Sequence, residues 1–277
     1  MSKIDFRRLS QYPAPIRLGI FIIALLLLWL PLAAPIRLFV GDDNLVTILT
    51  MPLLYAEFIL LLRFWGKHVH NQPQILQHYG LERTRQNGVD LLRGLAIGLI
   101  NILILFGIEG LLGWVVWQQP NMFLLRLISE ALIIALAYGF AEELLFRGWL
   151  LDELQRDYNP RVVLWATAVI FAVGHFIKPL ADIINSLPQF FGLLLLGLLL
   201  VWAKRSRRGR LGLSMGVHAG LIGGYYIINV GQLIQYTGAV PEWVTGVNKN
   251  PLAGLMGLLF LSVLALWMRK QASSKVI

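Results

Sequence analysis

The stretch AYGFAEELLFRG (residues 137–148) sets two carboxylates and a guanidinium inside an apolar run. On a helix, Glu143 and Arg147 are four residues apart, so they stack on one face and can neutralise each other. Glu142 is rotated about 100° around the same helix and cannot share Arg147 equally. One carboxylate is therefore paired and its neighbour free. A free carboxylate held in a poorly hydrated cavity is a candidate general base. Two histidines also fall in apolar runs, His175 in FAVGH and His218 in GVHAG. A lone histidine in such a run ordinarily bonds one helix to another. Two of them beside a Glu-Glu-Arg cluster point to a site, and the chemistry that these residue types suit is hydrolysis by an activated water.

Those residues need helices to hold them, and the composition says where the helices lie. The chain has 277 residues, 57% hydrophobic and 14% charged, too apolar for a soluble domain of this length. A run of about 20 apolar residues crosses a bilayer as a helix, and barrel-type alternating segments are absent. The fold class is all-α, a polytopic integral membrane protein. Eight spans are expected, at 17–36, 44–65, 94–117, 123–151, 161–178, 188–203, 211–229 and 251–268. At ~1.5 Å per residue, Glu142 and His175 each lie ~20 Å from the cytoplasmic ends of their helices, and His218 only ~10 Å from Leu211. A shallower His218 implies a cavity facing the cytoplasm. Gly212, Gly216, Gly220 and Gly224 recur every four residues, a ridge that lets another helix approach closely. His218 points away from it.

All but four of the 24 lysines and arginines (Arg37, Arg126, Lys178 and Lys249) gather at the two termini and around the second, fourth and sixth connections. Positive charge stays on the cytoplasmic side, so both termini are expected there. That accounts for the net charge of +9, and for KRSRRGR at 204–210 as an anchor beside anionic headgroups. Nucleic acid is not an expected partner. The apolar run after the basic N-terminus reads as a signal anchor, because further spans follow. The second connection, 66–93, is cytoplasmic, with a short helix near Pro73–Tyr79 and a turn signal at Gln86-Asn87-Gly88. Trp114 and Trp117 fit an interfacial belt. There is no cysteine, so neither a disulfide nor a thiolate metal site can form. The organisation is a single membrane domain, 1–277, with its motifs in 123–230.

Ionisable residues inside a membrane are functional candidates by default. Glu57 and Glu109 have no patterned neighbour, and Glu130 pairs with Arg126 four residues before it.

EELLFR (Glu142–Arg147), FAVGH (Phe171–His175) and the later His218 together resemble the three motifs of the CAAX protease and bacteriocin-processing (CPBP, Abi-type) family. The resemblance covers roughly 123–230. It implies a bundle of about eight helices like that of type II CAAX prenyl endopeptidases, with its site open to the cytoplasm. It also implies an intramembrane endopeptidase that is glutamate-dependent and needs no cofactor, acting on a membrane-tethered protein or peptide. Glu142 would activate the water, His175 hold it and His218 stabilise the oxyanion, while Glu143 and Arg147, with Phe171 of the second motif, support the cluster. One position departs from the pattern. Ile222, four residues after His218, stands where the family has a polar side chain, so Tyr225 serves instead or the chain is slow or inert. Asn229 lies too far along the helix to substitute.

Two alternatives stand beside this reading. A zinc protease would use Glu142, His175 and His218 as ligands, although the HExxH pattern is missing. A non-catalytic relative would act as a membrane scaffold or immunity factor, and an ion path is a further variant. Against a transporter, no paired interrupted spans occur in corresponding halves. Oligomeric state is not legible. The topology is testable in this cysteine-free chain: single cysteines at residues 86 and 207 should label from the cytoplasmic side and one at residue 121 from the opposite side. Labelling of 121 and 207 from the same side would overturn the layout.

Overall fold

The computed structural model describes residues 5–120 and 122–274. A short 3-10 turn precedes α1 (Ala14–Phe39), α2 (Asp43–His68) and the four-residue α3 (Ile75–His78). Then come α4 (Arg85–Leu111), the strand β1 (Val115–Trp117) and α5 (Leu124–Glu142). α5 runs through a π-helical segment, Glu143–Leu150, into α6 (Leu151–Gln155). After α7 (Pro160–Gly174) and α8 (Leu180–Ser186), the chain bends at Leu187–Gln189 into α9 (Phe190–Arg205) and returns as α10 (Gly212–Val230). β2 (Ile234–Tyr236), α11 (Glu242–Thr245) and α12 (Leu255–Ser273) complete it. β1 and β2 pair antiparallel, Val116 opposite Gln235. This ribbon joins two connections of an otherwise helical protein.

Six helical stretches are long and apolar enough to cross a membrane, and the expected first, second, third, fourth, sixth and eighth spans fall in them. The other two differ for physical reasons. α7 has only 15 residues. α10 has 19, but 13 of them are buried, so its environment is protein and its sequence need not match lipid. α1 shows the opposite case. It is among the most apolar stretches and one of the least buried, with Ile23, Leu27 and Leu32 exposed, as a lipid-facing surface requires.

The Asn87-Gly88 turn signal is overridden. α4 begins before it, at Arg85, because Thr84 caps the helix by accepting from the Asn87 N–H at 3.2 Å. Asn87 is buried and its side-chain oxygen accepts from the Gly212 N–H at 2.8 Å. The residue that looked like a turn former holds the start of α10 instead. The expected third span also ends early, at Leu111, and 115–117 form a strand.

The centre of the molecule is α10, packed between α4 and α5. Its glycine ridge meets α4, which answers with small residues of its own. A Cβ on Gly216 would lie 2.1 Å from the Leu91 carbonyl, and one on Gly220 2.3 Å from that of Leu95. On the facing helix, Gly94 and Gly98 come equally close to the Leu213 and Val217 carbonyls. The helices touch backbone to backbone along about three turns, and no side chain larger than hydrogen fits. On the other flank, Gly139 of α5 meets Met215 and Ala219. Gly220→Ala should therefore lower detergent stability by ~1–3 kcal/mol through overpacking. Gly107→Ala, where nothing lies within 4 Å, should leave thermal melting near wild type. Equal melting of both variants would contradict the close seam.

Candidate active site

Glu142 is the last residue of α5 and Glu143 the first of the π segment. The widened turn, a feature that recurs at functional sites in helices, turns the two neighbouring carboxylates into different surroundings. Glu143 is fully buried and bonded to Arg147 Nη1 at 2.9 Å, neither side chain exposed. Arg147 also donates to the Gly197 carbonyl of α9 at 3.3 Å and lies over the Phe171 ring, 4.2 Å from its centroid. Lys204 of α9 donates to the Arg147 carbonyl at 2.6 Å, holding backbone that the π segment re-aims. Lys204 was missed in the sequence because it sits in a basic run that reads as a headgroup anchor.

Glu142 keeps a side-chain exposure of 22%, and its Oε2 has no hydrogen-bond partner. Two histidine nitrogens face that oxygen, His175 Nε2 at 3.8 Å and His218 Nε2 at 3.9 Å. The far nitrogen of each ring is engaged. His175 Nδ1 lies 2.8 Å from the Phe171 carbonyl one turn back, and His218 Nδ1 lies 3.1 Å from Glu143 Oε1. Each Nδ1 therefore carries the proton, and in the neutral rings each Nε2 is a lone-pair acceptor. Three acceptors converge on one small space, which calls for a donor or a cation between them. Phe171 is buried and central, with its ring centroid 4.7 Å from His175 and 6.0 Å from His218.

The residues singled out from the sequence thus divide. Glu142, His175 and His218 come together. Glu143, Arg147 and Phe171 form the layer behind them. Glu130 pairs with Arg126 at 2.7 Å, away from the cluster. Glu109 is buried with neither oxygen bonded, and Glu57 likewise has one bare oxygen; neither joins the cluster among the described residues.

The depth difference expected for His218 is corrected. Leu211 is fully buried, its N–H bonded to the Gly80 carbonyl at 3.0 Å. The region is further held by Asp90, which takes Arg210 Nη2 at 2.9 Å. α10 therefore starts covered by protein, and His218 reaches Glu142, 3.9 Å away, even though it lies early in its helix. The shallower His218 expected from residue counting is not found. A cavity of about 140 Å³ opens beside His218, lined by Leu221, Ile222, Tyr225, Leu196 and Asn101 among others. Tyr225 does not serve as the missing donor, since its hydroxyl donates to the Lys249 carbonyl at 3.1 Å. Asn229 lines a different, larger cavity.

The zinc alternative has the right kinds of donors, and a metal-bound histidine does bond its far nitrogen to a carboxylate or carbonyl. The spacing is wider than zinc needs. Ligands at ~2.0–2.1 Å in a tetrahedron stand ~3.4 Å apart, against the 3.8 and 3.9 Å found. Among the described residues no group of three or more His, Cys, Asp or Glu has a metal-holding arrangement. A hydrogen-bonded water suits the wider gap.

The fold and this cluster define a polytopic membrane protein with a polar site enclosed by helices. Residues 123–221 match the family model described as Type II CAAX prenyl endopeptidase Rce1-like, and that segment of the chain is similar to the family. The match spans Glu142, Glu143, Arg147, Phe171, His175 and His218. No curated protein and no solved structure matches the chain.

The buried pair carries a stability prediction. Arg147→Ala leaves Glu143 charged in a dry interior and should cost ~3–5 kcal/mol, whereas Glu142→Ala removes a carboxylate that nothing pairs. Thermal melting in detergent should rank wild type and Glu142→Ala well above Arg147→Ala. Equal melting of Arg147→Ala and wild type would contradict the assignment.

Proposed function

We propose that this protein is an intramembrane endopeptidase in which Glu142 activates water. The single observation that carries the reading is the convergence of an unpartnered carboxylate oxygen and two histidine nitrogens on one point. A water there donates one hydrogen to Glu142 and the other to His175, which aims its lone pair outward at a peptide carbonyl. As the oxygen–carbon bond forms, Glu142 takes the proton. The carbonyl oxygen becomes an oxyanion, and His218, which has taken a proton from solvent at Nε2 before the substrate seats, stabilises it while Nδ1–H stays on Glu143. Donors already fixed in place before the reaction stabilise such charge without reorganising. Collapse of the tetrahedral intermediate breaks the carbon–nitrogen bond, and Glu142 returns its proton to the leaving amine. Glu143, Arg147 and Phe171 position the histidines and touch no reacting atom.

On this reading the substrate is a membrane-tethered protein or peptide, prenylated or not, presented from the cytoplasmic side, where the distribution of positive charge leads both termini to be expected. The family description, a prenyl endopeptidase, supports peptide hydrolysis. The second reading is a zinc protease on the same three residues, favoured by the bonding of both histidine Nδ1 atoms. An assay on purified protein in detergent or liposomes separates them. Glu142→Ala should lose at least ~10³-fold in kcat, as loss of a general base in an enclosed site implies, and a chelator should leave wild type unchanged. Cleavage by Glu142→Ala at the wild-type rate would sink both readings; loss with chelator, restored by zinc, would favour the metal.

A further inference from the structure

The cavity beside His218 contains one polar side chain that nothing in the protein uses. Asn101 stands on α4 in the apolar run Leu95–Gly107. It lines the cavity with His218, Ile222 and Tyr225. The rest of the lining is almost entirely aliphatic: Ile102, Leu105, Leu196, Leu221 and Leu261. Asn101 is half-buried, and the second amide of the lining, Asn250, already accepts from the Leu252 N–H at 2.9 Å, so Asn101 is the amide of the cavity left open to an occupant.

Its height is set by the glycine seam. Gly220 touches Leu99, and Gly224 touches Ile102. Asn101 lies between those two residues of α4, so it is level with Ile222, one turn of α10 beyond His218. An aliphatic residue on α10 and an amide on α4 thus face the same cavity at the same depth, with His218 one turn below. The occupant that would satisfy the amide there is a carbonyl oxygen from a bound peptide.

We propose that Asn101 donates from α4 to the oxyanion together with His218, supplying the contact that Ile222 cannot make. This inference rests on the hydrolytic reading above. It gives α4 a place in the chemistry as well as in the packing, and assigns the cavity to the carbonyl side of the cleaved bond.

The test is steady-state cleavage of one quenched fluorescent peptide by the purified full-length chain. The variants are Glu142→Ala, Asn101→Leu, Asn101→Asp, Ile222→Asn and the double variant Asn101→Leu with Ile222→Asn. Asn101→Leu should lose ~10²–10³ in kcat with KM little changed, the signature of a donor used only in the transition state. Asn101→Asp keeps the shape of the side chain but replaces the donor with an acceptor, so it should lose as much. It keeps the test decisive if the leucine variant folds poorly. Restoring an amide on the opposite wall should recover ~10-fold or more in the double variant, whereas Ile222→Asn alone should gain little because the contact already exists. Wild-type kcat in folded Asn101→Leu or Asn101→Asp, with Glu142→Ala inactive, would overturn this inference and leave the hydrolytic reading standing. A rise in KM at unchanged kcat, or a loss that Ile222→Asn does not repair, would also overturn it, because a packing role predicts both. Cleavage undiminished in Glu142→Ala would fell the hydrolytic reading and this inference with it.

Discussion

Everything near the site depends on Arg147 having nowhere to go but Glu143. A guanidinium and a carboxylate with no solvent contact are costly to place in a membrane protein and costly to separate. The structure surrounds them on every side. His218 bonds the carboxylate from α10, Phe171 stacks under the guanidinium from α7, and Gly197 receives it from α9. Three helices are thus fixed by one ion pair, and each contributes a group to the same small volume. Both histidines contact Phe171, so the pair and the site cannot move independently.

The division of labour between Glu142 and Glu143 follows from this. Adjacent residues on an ordinary helix already diverge, and the π segment begins at that boundary. One carboxylate is consumed by structure, its charge matched and its geometry locked. The other keeps a bare oxygen and partial exposure. The hydrolysis proposed above would use both: a rigid anion to fix a histidine's tautomer, and a freer one to take and return a proton. Two glutamates in sequence, with an arginine one turn later, are a compact way to encode that pair of environments.

Much of this was legible in the chain. The i, i+4 spacing of Glu143 and Arg147 gave their pairing, the four-residue glycine repeat gave the close helix contact, and intramembrane charge marked the cluster. What was not legible had identifiable causes. Asn87-Gly88 reads locally as a turn, but Thr84 and Gly212 make it part of a helix, and a local signal cannot know about a partner 125 positions away. The depth of His218 was misjudged because counting residues from a helix start assumes that the start lies at the membrane surface. Leu211 begins its helix inside the protein. The π segment leaves no composition signature, since all its residues are good helix formers apart from one glycine. Asn101 was overlooked as one amide in an apolar run, a residue with a clear cost but no patterned neighbour.

The seam between α4 and α10 has a further consequence, for biosynthesis. These helices lie far apart in the sequence, and each presents bare backbone and glycine to the other with no side chain to cover it. Chains are made from the N-terminus onward, so α4 enters the bilayer long before its counterpart exists. Until α10 arrives, α4 offers lipid an unfilled groove and buried Asp90 has no Arg210. The histidine that orients on Glu143 also comes last. Maturation of this chain is therefore a closing event: α10 slots into a waiting cleft, and in doing so it completes the helix seam and brings His218 to Glu143. A nascent chain arrested before residue 218 holds α4 in the membrane with its groove unfilled and Glu143 without its histidine.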